Sequence, residues 1–169
     1  TTGTGNDVLS LDAIEGSTVV LGDGSNLFTA QKVTSSSVTA GADADTATLA
    51  NVTGSTISLG AGANTLSVSG TVASSNLVGG AGDDSLSGEA GDDVLRGGDG
   101  ADTMDGGAGV NRVSYHSSDA AVTVNLLTGA VSGGDAQGDI LHNFTQITGS
   151  AHGDHLTGSA GNDSIYAGA

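Results

Sequence analysis

The chain has 169 residues and a formal net charge of −16 at pH 7, with 19 acidic residues against three strong cations, Lys32, Arg96 and Arg112. Cations so few and scattered exclude a phosphate-binding face, so nucleic acid is not a partner, and the acidity argues against anionic membrane surfaces as well. Glycine numbers 30, aromatic residues make up 2%, and Pro, Cys and Trp are absent, which excludes an aromatic globular core, disulfide stapling and thiol chemistry.

No apolar run reaches the roughly 18 residues of a spanning helix, and no charged-then-apolar signal segment opens the chain, so direct membrane insertion is not expected. The chain starts at Thr1 and stops at Ala169 in mid-repeat, as a piece cut from a longer protein would.

Residues 1–78 repeat with a long period. The fragments GTGNDVL, GDGSNLF, GADADTA and GAGANTL begin at Gly3, Gly22, Gly41 and Gly60, and GAGDDSL at Gly80 continues them, at spacings of 19, 19, 19 and 20 residues. A carboxylate or amide recurs in each turn, at Asp7, Asn26, Asp45, Asn64 and Asp84, followed two residues later by Leu9, Phe28, Ala47, Leu66 and Leu86. A second series, Ile14, Val33, Val52 and Val72 followed by Val19, Val38, Ile57 and Leu77, keeps the same register. One period is therefore one whole coil, which predicts a right-handed parallel β-helix. One edge carries turns able to hold a cation, with Asp7 and Asp45 as candidate ligands, and the other carries Ser/Thr/Gly turns with an apolar corner. At Asn26, Asp45 and Asn64 two readings stay open, cation ligation and a metal-free ladder of stacked, hydrogen-bonded side chains.

Residues 79–114 read as four nine-residue units, GGAGDDSLS, GEAGDDVLR, GGDGADTMD and GGAGVNRVS, each fitting G-G-x-G-x-D-x-U-x with U a large apolar residue. Position 6 is Asp84, Asp93, Asp102 and Asn111; position 8 is Leu86, Leu95, Met104 and Val113. Glycines at positions 1, 2 and 4 permit a tight turn with inward carbonyls, and alternation over the last three residues sends position 8 to the core. Nine residues make half a coil, so alternate units stack, Asp84 near Asp102 on one edge and Asp93 near Asn111 on the other. Like charges that close require a cation between them, and hard oxygen ligands select calcium over a transition metal.

This pattern resembles the repeats-in-toxin (RTX), hemolysin-type calcium-binding repeat family. The resemblance implies an all-β, right-handed parallel β-helix or β-roll solenoid with calcium-binding turns, several bound Ca2+ ions, and export by type I secretion. The metal ligands it implies are Gly80, Gly82, Asp84, Gly91, Asp93, Gly98, Gly100, Asp102, Gly107, Gly109 and Asn111, beside Asp7 and Asp45.

Residues 115–148 interrupt the repeats. Alternation in AVTVNL, a Thr-Gly turn and separated apolar residues predict two or three strands forming a crossover or lateral flap. Its GGDAQGD piece sets Asp135 and Asp139 beside glycines, read as a solvated loop with a further cation as the alternative. The frame returns over residues 149–169 as GSAHGDHLT and GSAGNDSIY, which adds Asp154 and Asp163 as candidate ligands. His152 and His155 lack a third ligand in the motif and read as surface histidines instead of a zinc or copper site.

No nucleophile elbow, zincin helix or phosphate-cradling loop is present, and acids spaced along coil edges suit metal ligation better than a catalytic pair. The expectation is a non-enzymatic, extracellular, calcium-folded structural segment. The Ala/Thr/Ser/Gly/Val dominance resembles RTX-type bacterial surface-layer proteins, which implies self-association in a surface lattice through calcium. A secreted adhesin's repeat region and the calcium-dependent tail of a secreted enzyme or toxin are the alternatives.

Overall fold

The computed structural model describes residues 1–168. It is an all-β solenoid of about eight turns with parallel strands, and its register reproduces the sequence period. Val8–Glu15 pairs with Leu27–Thr34 at an offset of 19 residues, matching Leu9 to Phe28 and Ile14 to Val33. Thr65–Val68 then pairs with Ser85–Ser87 at an offset of 20, Leu66 facing Leu86, and Ser85–Ser87 with Thr103–Asp105 at an offset of 18, Leu86 facing Met104.

Stacking identical positions fixes the core. One wall buries Phe28, Ala47, Leu66, Leu86 and Met104; the facing wall buries Val38, Ile57, Leu77, Leu95, Val113 and Ile147. Val33, Val52 and Val72 form a third apolar stack at a corner. Removing such a side chain from water contributes about 1.5–3 kcal/mol, so aliphatic columns replace the aromatic core that the composition denies. Coil-to-coil spacing leaves no room for a Cβ where the turns stack. A Cβ on Gly98, whose φ is +119°, would overlap the Gly80 carbonyl one coil below.

Of residues 115–148, expected as a crossover or lateral flap, only part stands apart from the main sheet. Thr123–Asn125 and Ala130–Ser132 do form an antiparallel hairpin, whose first strand lies parallel to His155–Thr157. The remainder is threaded back into the stack. Ile140–His142 continues the wall beyond Thr103–Asp105, and Gln146–Thr148 continues the opposite wall between Arg112–Ser114 and Ser164–Tyr166. The solenoid frame thus resumes before Gly149, and Leu141 and Ile147 take up the apolar columns.

Candidate metal centre

The turn side chains on the first edge form a continuous ladder. In each coil the residue at position 6 accepts, through Oδ1, the backbone N–H of its counterpart in the coil below: Asp7 N–H to Asn26 at 3.0 Å, Asn26 to Asp45 at 2.8 Å, Asp45 to Asn64 at 2.8 Å, Asn64 to Asp84 at 2.7 Å, and Asp84 to Asp102 at 2.9 Å. Asp102 N–H then donates to Asp139 at 2.9 Å. On the second edge Ser17, Ser36, Ser55 and Ser75 stack in the same way, each N–H donating to the next hydroxyl at 3.1–3.2 Å. Asp93 and Asn111 replace serine once the nonapeptides begin, with Asp93 N–H on Asn111 Oδ1 at 3.1 Å. The expected stacking of Asp84 with Asp102 and of Asp93 with Asn111 is the arrangement found.

In Asp45, Asp84 and Asp102 one carboxylate oxygen is spent on this ladder and the other has no partner within the protein. Asp45, Asp84, Asp93 and Asp102 are 2%, 3%, 1% and 0% exposed. Oδ2 of Asp7, Asp45, Asp84 and Asp102, and both carboxylate oxygens of Asp93, are buried with no hydrogen-bond partner. Burial, partly offset by hydrogen bonds from Asn64, lifts the Asp84 carboxyl to about 6. Burial with the Asp92 charge lifts Asp93 to about 7. Burial lifts Asp102 to about 7, and the charges of Asp139, Asp84 and Asp83 add to it. Asp45 is raised as well, again chiefly by burial.

Position 1 is glycine in these turns because the carboxylate occupies the space a side chain would need. A Cβ on Gly79 would overlap Asp84 Oδ2, and one on Gly97 would overlap Asp102 Oδ2. Gly80, Gly82, Gly91, Gly98, Gly100, Gly107 and Gly109 all take positive φ, between +73° and +137°.

Buried carboxylate oxygens with no donor, held in glycine turns, are the donor set of a hard cation. The model of the RTX calcium-binding nonapeptide repeat matches residues 78–113 and 148–169, in four copies. The chain carries RTX calcium-binding repeats. No curated protein matches it.

Residues 78–113 and 148–169 of the solenoid are thus a calcium-binding repeat region of the RTX type. Among the described residues no three His, Cys, Asp or Glu side chains converge on one point. Calcium takes 6–8 oxygens, so each turn would have to add backbone carbonyls to its single carboxylate. His152 and His155 are both exposed and bring no third ligand.

The two later RTX turns differ from the first three. Asp154 accepts the Ser150 hydroxyl at 2.7 Å, the Ser150 N–H at 2.8 Å and the Val122 N–H at 2.8 Å, and Asp163 accepts the Ser159 hydroxyl at 2.8 Å. Serine at position 2, where the repeat has glycine, supplies the two hydroxyl donors.

Asp139, read from the sequence as part of a solvated loop, is instead 5% exposed and ends the first-edge ladder. Its Oδ2 accepts the Tyr115 hydroxyl at 2.7 Å, and burial lifts its carboxyl to about 6. Asp135, only partly buried, sits nearer the surface beside Ser118.

Proposed function

We propose that this RTX segment folds outside the cell on calcium, with Asp7, Asp45, Asp84, Asp93 and Asp102 and the carbonyls of their turns as the principal ligands, and serves as a structural part of a bacterial surface layer. The observation that carries the calcium assignment is the set of buried carboxylate oxygens with no partner on those five residues. The ion supplies the positive charge that burial denies them, and the turns supply the remaining oxygens. Catalysis is no part of this function.

Export in the unfolded state by type I secretion follows from the RTX character. Low cytosolic calcium leaves an acidic, weakly hydrophobic chain expanded, and millimolar calcium outside folds it. Two features support the surface layer over an adhesin or an enzyme's tail: the Ala/Thr/Ser/Gly/Val composition, and an N-terminal section of 19-residue coils with acidic turns on one edge only.

Negative-stain electron microscopy of the purified chain, titrated from chelator into millimolar calcium, tests the reading. Ordered sheets or filaments that dissolve on chelation are expected. Dispersed monomers at every calcium concentration would exclude the lattice role, and hydrolytic activity in the protein that carries the segment would point to an enzyme's tail.

A further inference from the structure

The ladder places asparagine at positions where the repeat calls for aspartate, and the two residues behave alike at one atom and oppositely at the other. Oδ1 of Asn26 and Asn64 accepts the N–H from the coil below as aspartate Oδ1 does. The second atom of aspartate is a buried oxygen without a partner. The second atom of asparagine is a donor with two acceptors in its own turn. Asn26 Nδ2 donates to the carbonyls of Gly22 at 3.2 Å and Gly24 at 2.7 Å. Asn64 Nδ2 donates to those of Gly60 at 3.5 Å and Gly62 at 2.9 Å. On the other edge Asn111 Nδ2 donates to Gly107 at 3.2 Å and to Asn143 of the neighbouring coil at 3.1 Å.

We infer that the amides of Asn26, Asn64 and Asn111 close their turns in place of a calcium ion, so that ion-free turns are built into both edges between or beside the calcium-holding ones. The inference rests on the calcium reading of the aspartate turns. The amide hydrogens bring partial positive charge to the turn carbonyls that a cation would otherwise gather, and donor and cation cannot share those lone pairs. Tyr115 does the corresponding thing for a carboxylate, its hydroxyl satisfying Asp139 Oδ2 at the end of the ladder.

Along the first edge the order is Asp7, Asn26, Asp45, Asn64, Asp84, Asp102, Asp139. Ladder carboxylates in the N-terminal section therefore stand two coils apart, roughly 9.6 Å, which halves the density of buried charge that calcium must neutralise. Only Asp84 and Asp102 are ion-requiring neighbours.

The full chain at pH 7.5 tests this with calcium itself as the probe. Bound ions at saturation are counted by equilibrium dialysis, and the calcium concentration at half-folding is read by circular dichroism. Asn64→Asp is expected to bind one ion more than the parent and to need more calcium to fold. Asp84→Asn is expected to bind one ion fewer and to need less calcium, because its new amide reaches the Gly80 and Gly82 carbonyls; mere loss of a ligand would raise the requirement. No extra ion in a folded Asn64→Asp, or a higher calcium requirement in Asp84→Asn, overturns the inference, and the second result decides alone if Asn64→Asp does not fold. Should the parent bind no calcium and stay folded in chelator, the calcium reading fails. The amide closure then survives if Asp84→Asn melts higher than the parent and is overturned if it melts lower.

Discussion

Chelating calcium at neutral pH should unfold the chain. Six carboxylate oxygens on Asp7, Asp45, Asp84, Asp93 and Asp102 are buried without partners, and leaving such an atom unsatisfied costs about 1–3 kcal/mol, or roughly 6–18 kcal/mol for the set. A folded domain is stable by only about 5–15 kcal/mol, and a chain with 30 glycines carries an unusually large ordering entropy. Extracellular calcium modules bind at about 10⁻⁴–10⁻³ M. At about 10 mM calcium each ion bound only by the folded state then adds about 1.4–2.7 kcal/mol, and one per aspartate adds roughly 7–14 kcal/mol. The two sums are of equal size, so the fold is expected to depend on the ion. Far-UV circular dichroism and thermal melts in excess chelator and in about 10 mM calcium decide the matter. A loss of the β signal in chelator, reversed on adding calcium, is expected; an unchanged spectrum and melting temperature would refute the reasoning.

Acid should substitute in part for calcium. Aspartates ionise near 3.9 in an unfolded chain, whereas burial holds Asp84 at about 6 and Asp93 and Asp102 at about 7. The metal-free fold therefore binds more protons than the unfolded chain between those values. The stability this contributes is complete below about pH 4 and is lost as pH rises through 6–7. The far-UV β signal in chelator should be larger at pH 5 than at pH 7.5, and calcium should remove the difference; a β signal that rises with pH in chelator would contradict the assignment. Gly98→Ala, which drives a Cβ into the Gly80 carbonyl, should prevent folding even in saturating calcium. Gly153→Ala, with nothing within 4 Å of the new methyl, should shift the urea midpoint by less than the equivalent of about 0.5 kcal/mol. Leu77→Ala empties a fully buried place in the column and should cost about 2–5 kcal/mol in calcium-loaded urea melts.

The repeat frame was legible because the turn admits few residues. Position 6 must reach the coil below, and positions 1, 2 and 4 must clear a carboxylate or a carbonyl, so Asp and Gly recur where a reader can count them. The coil within residues 133–148 escaped this reading because it keeps only part of the pattern. Asp139 and Leu141 hold the ladder and core positions, but Gln137 and Asn143 stand in its turns, Asn143 at a φ of +59°, so the glycine spacing that would announce the frame is broken. The bond from Tyr115 to Asp139 joins residues 24 apart across an insertion of no fixed period, and only the assembled stack brings them together. Ser150 and Ser159 were visible as departures from the glycine pattern. Their effect was not, since it depends on the hydroxyls turning toward Asp154 and Asp163.

The change of period along the chain explains why carboxylates occupy one edge at first and both edges later. In the 19- and 20-residue coils the second edge holds neutral serines beside the apolar corner of Val33, Val52 and Val72. At the first 18-residue coil that corner meets Gly91, which pairs with Val72 and has no space for a Cβ beside the Val72 carbonyl. The valine column ends there, and Asp93 and Asn111 take over the serine ladder within the same turn of chain. A buried valine contributes about 1.5–3 kcal/mol, and a calcium ion at ten to a hundred times its dissociation constant about 1.4–2.7 kcal/mol. The two staples are interchangeable in size but not in regulation, because the valine is always present and the ion is not. The N-terminal coils therefore carry more of their stability in the sequence itself, and the residues from Gly79 to Ser114 draw more of theirs from the surrounding calcium.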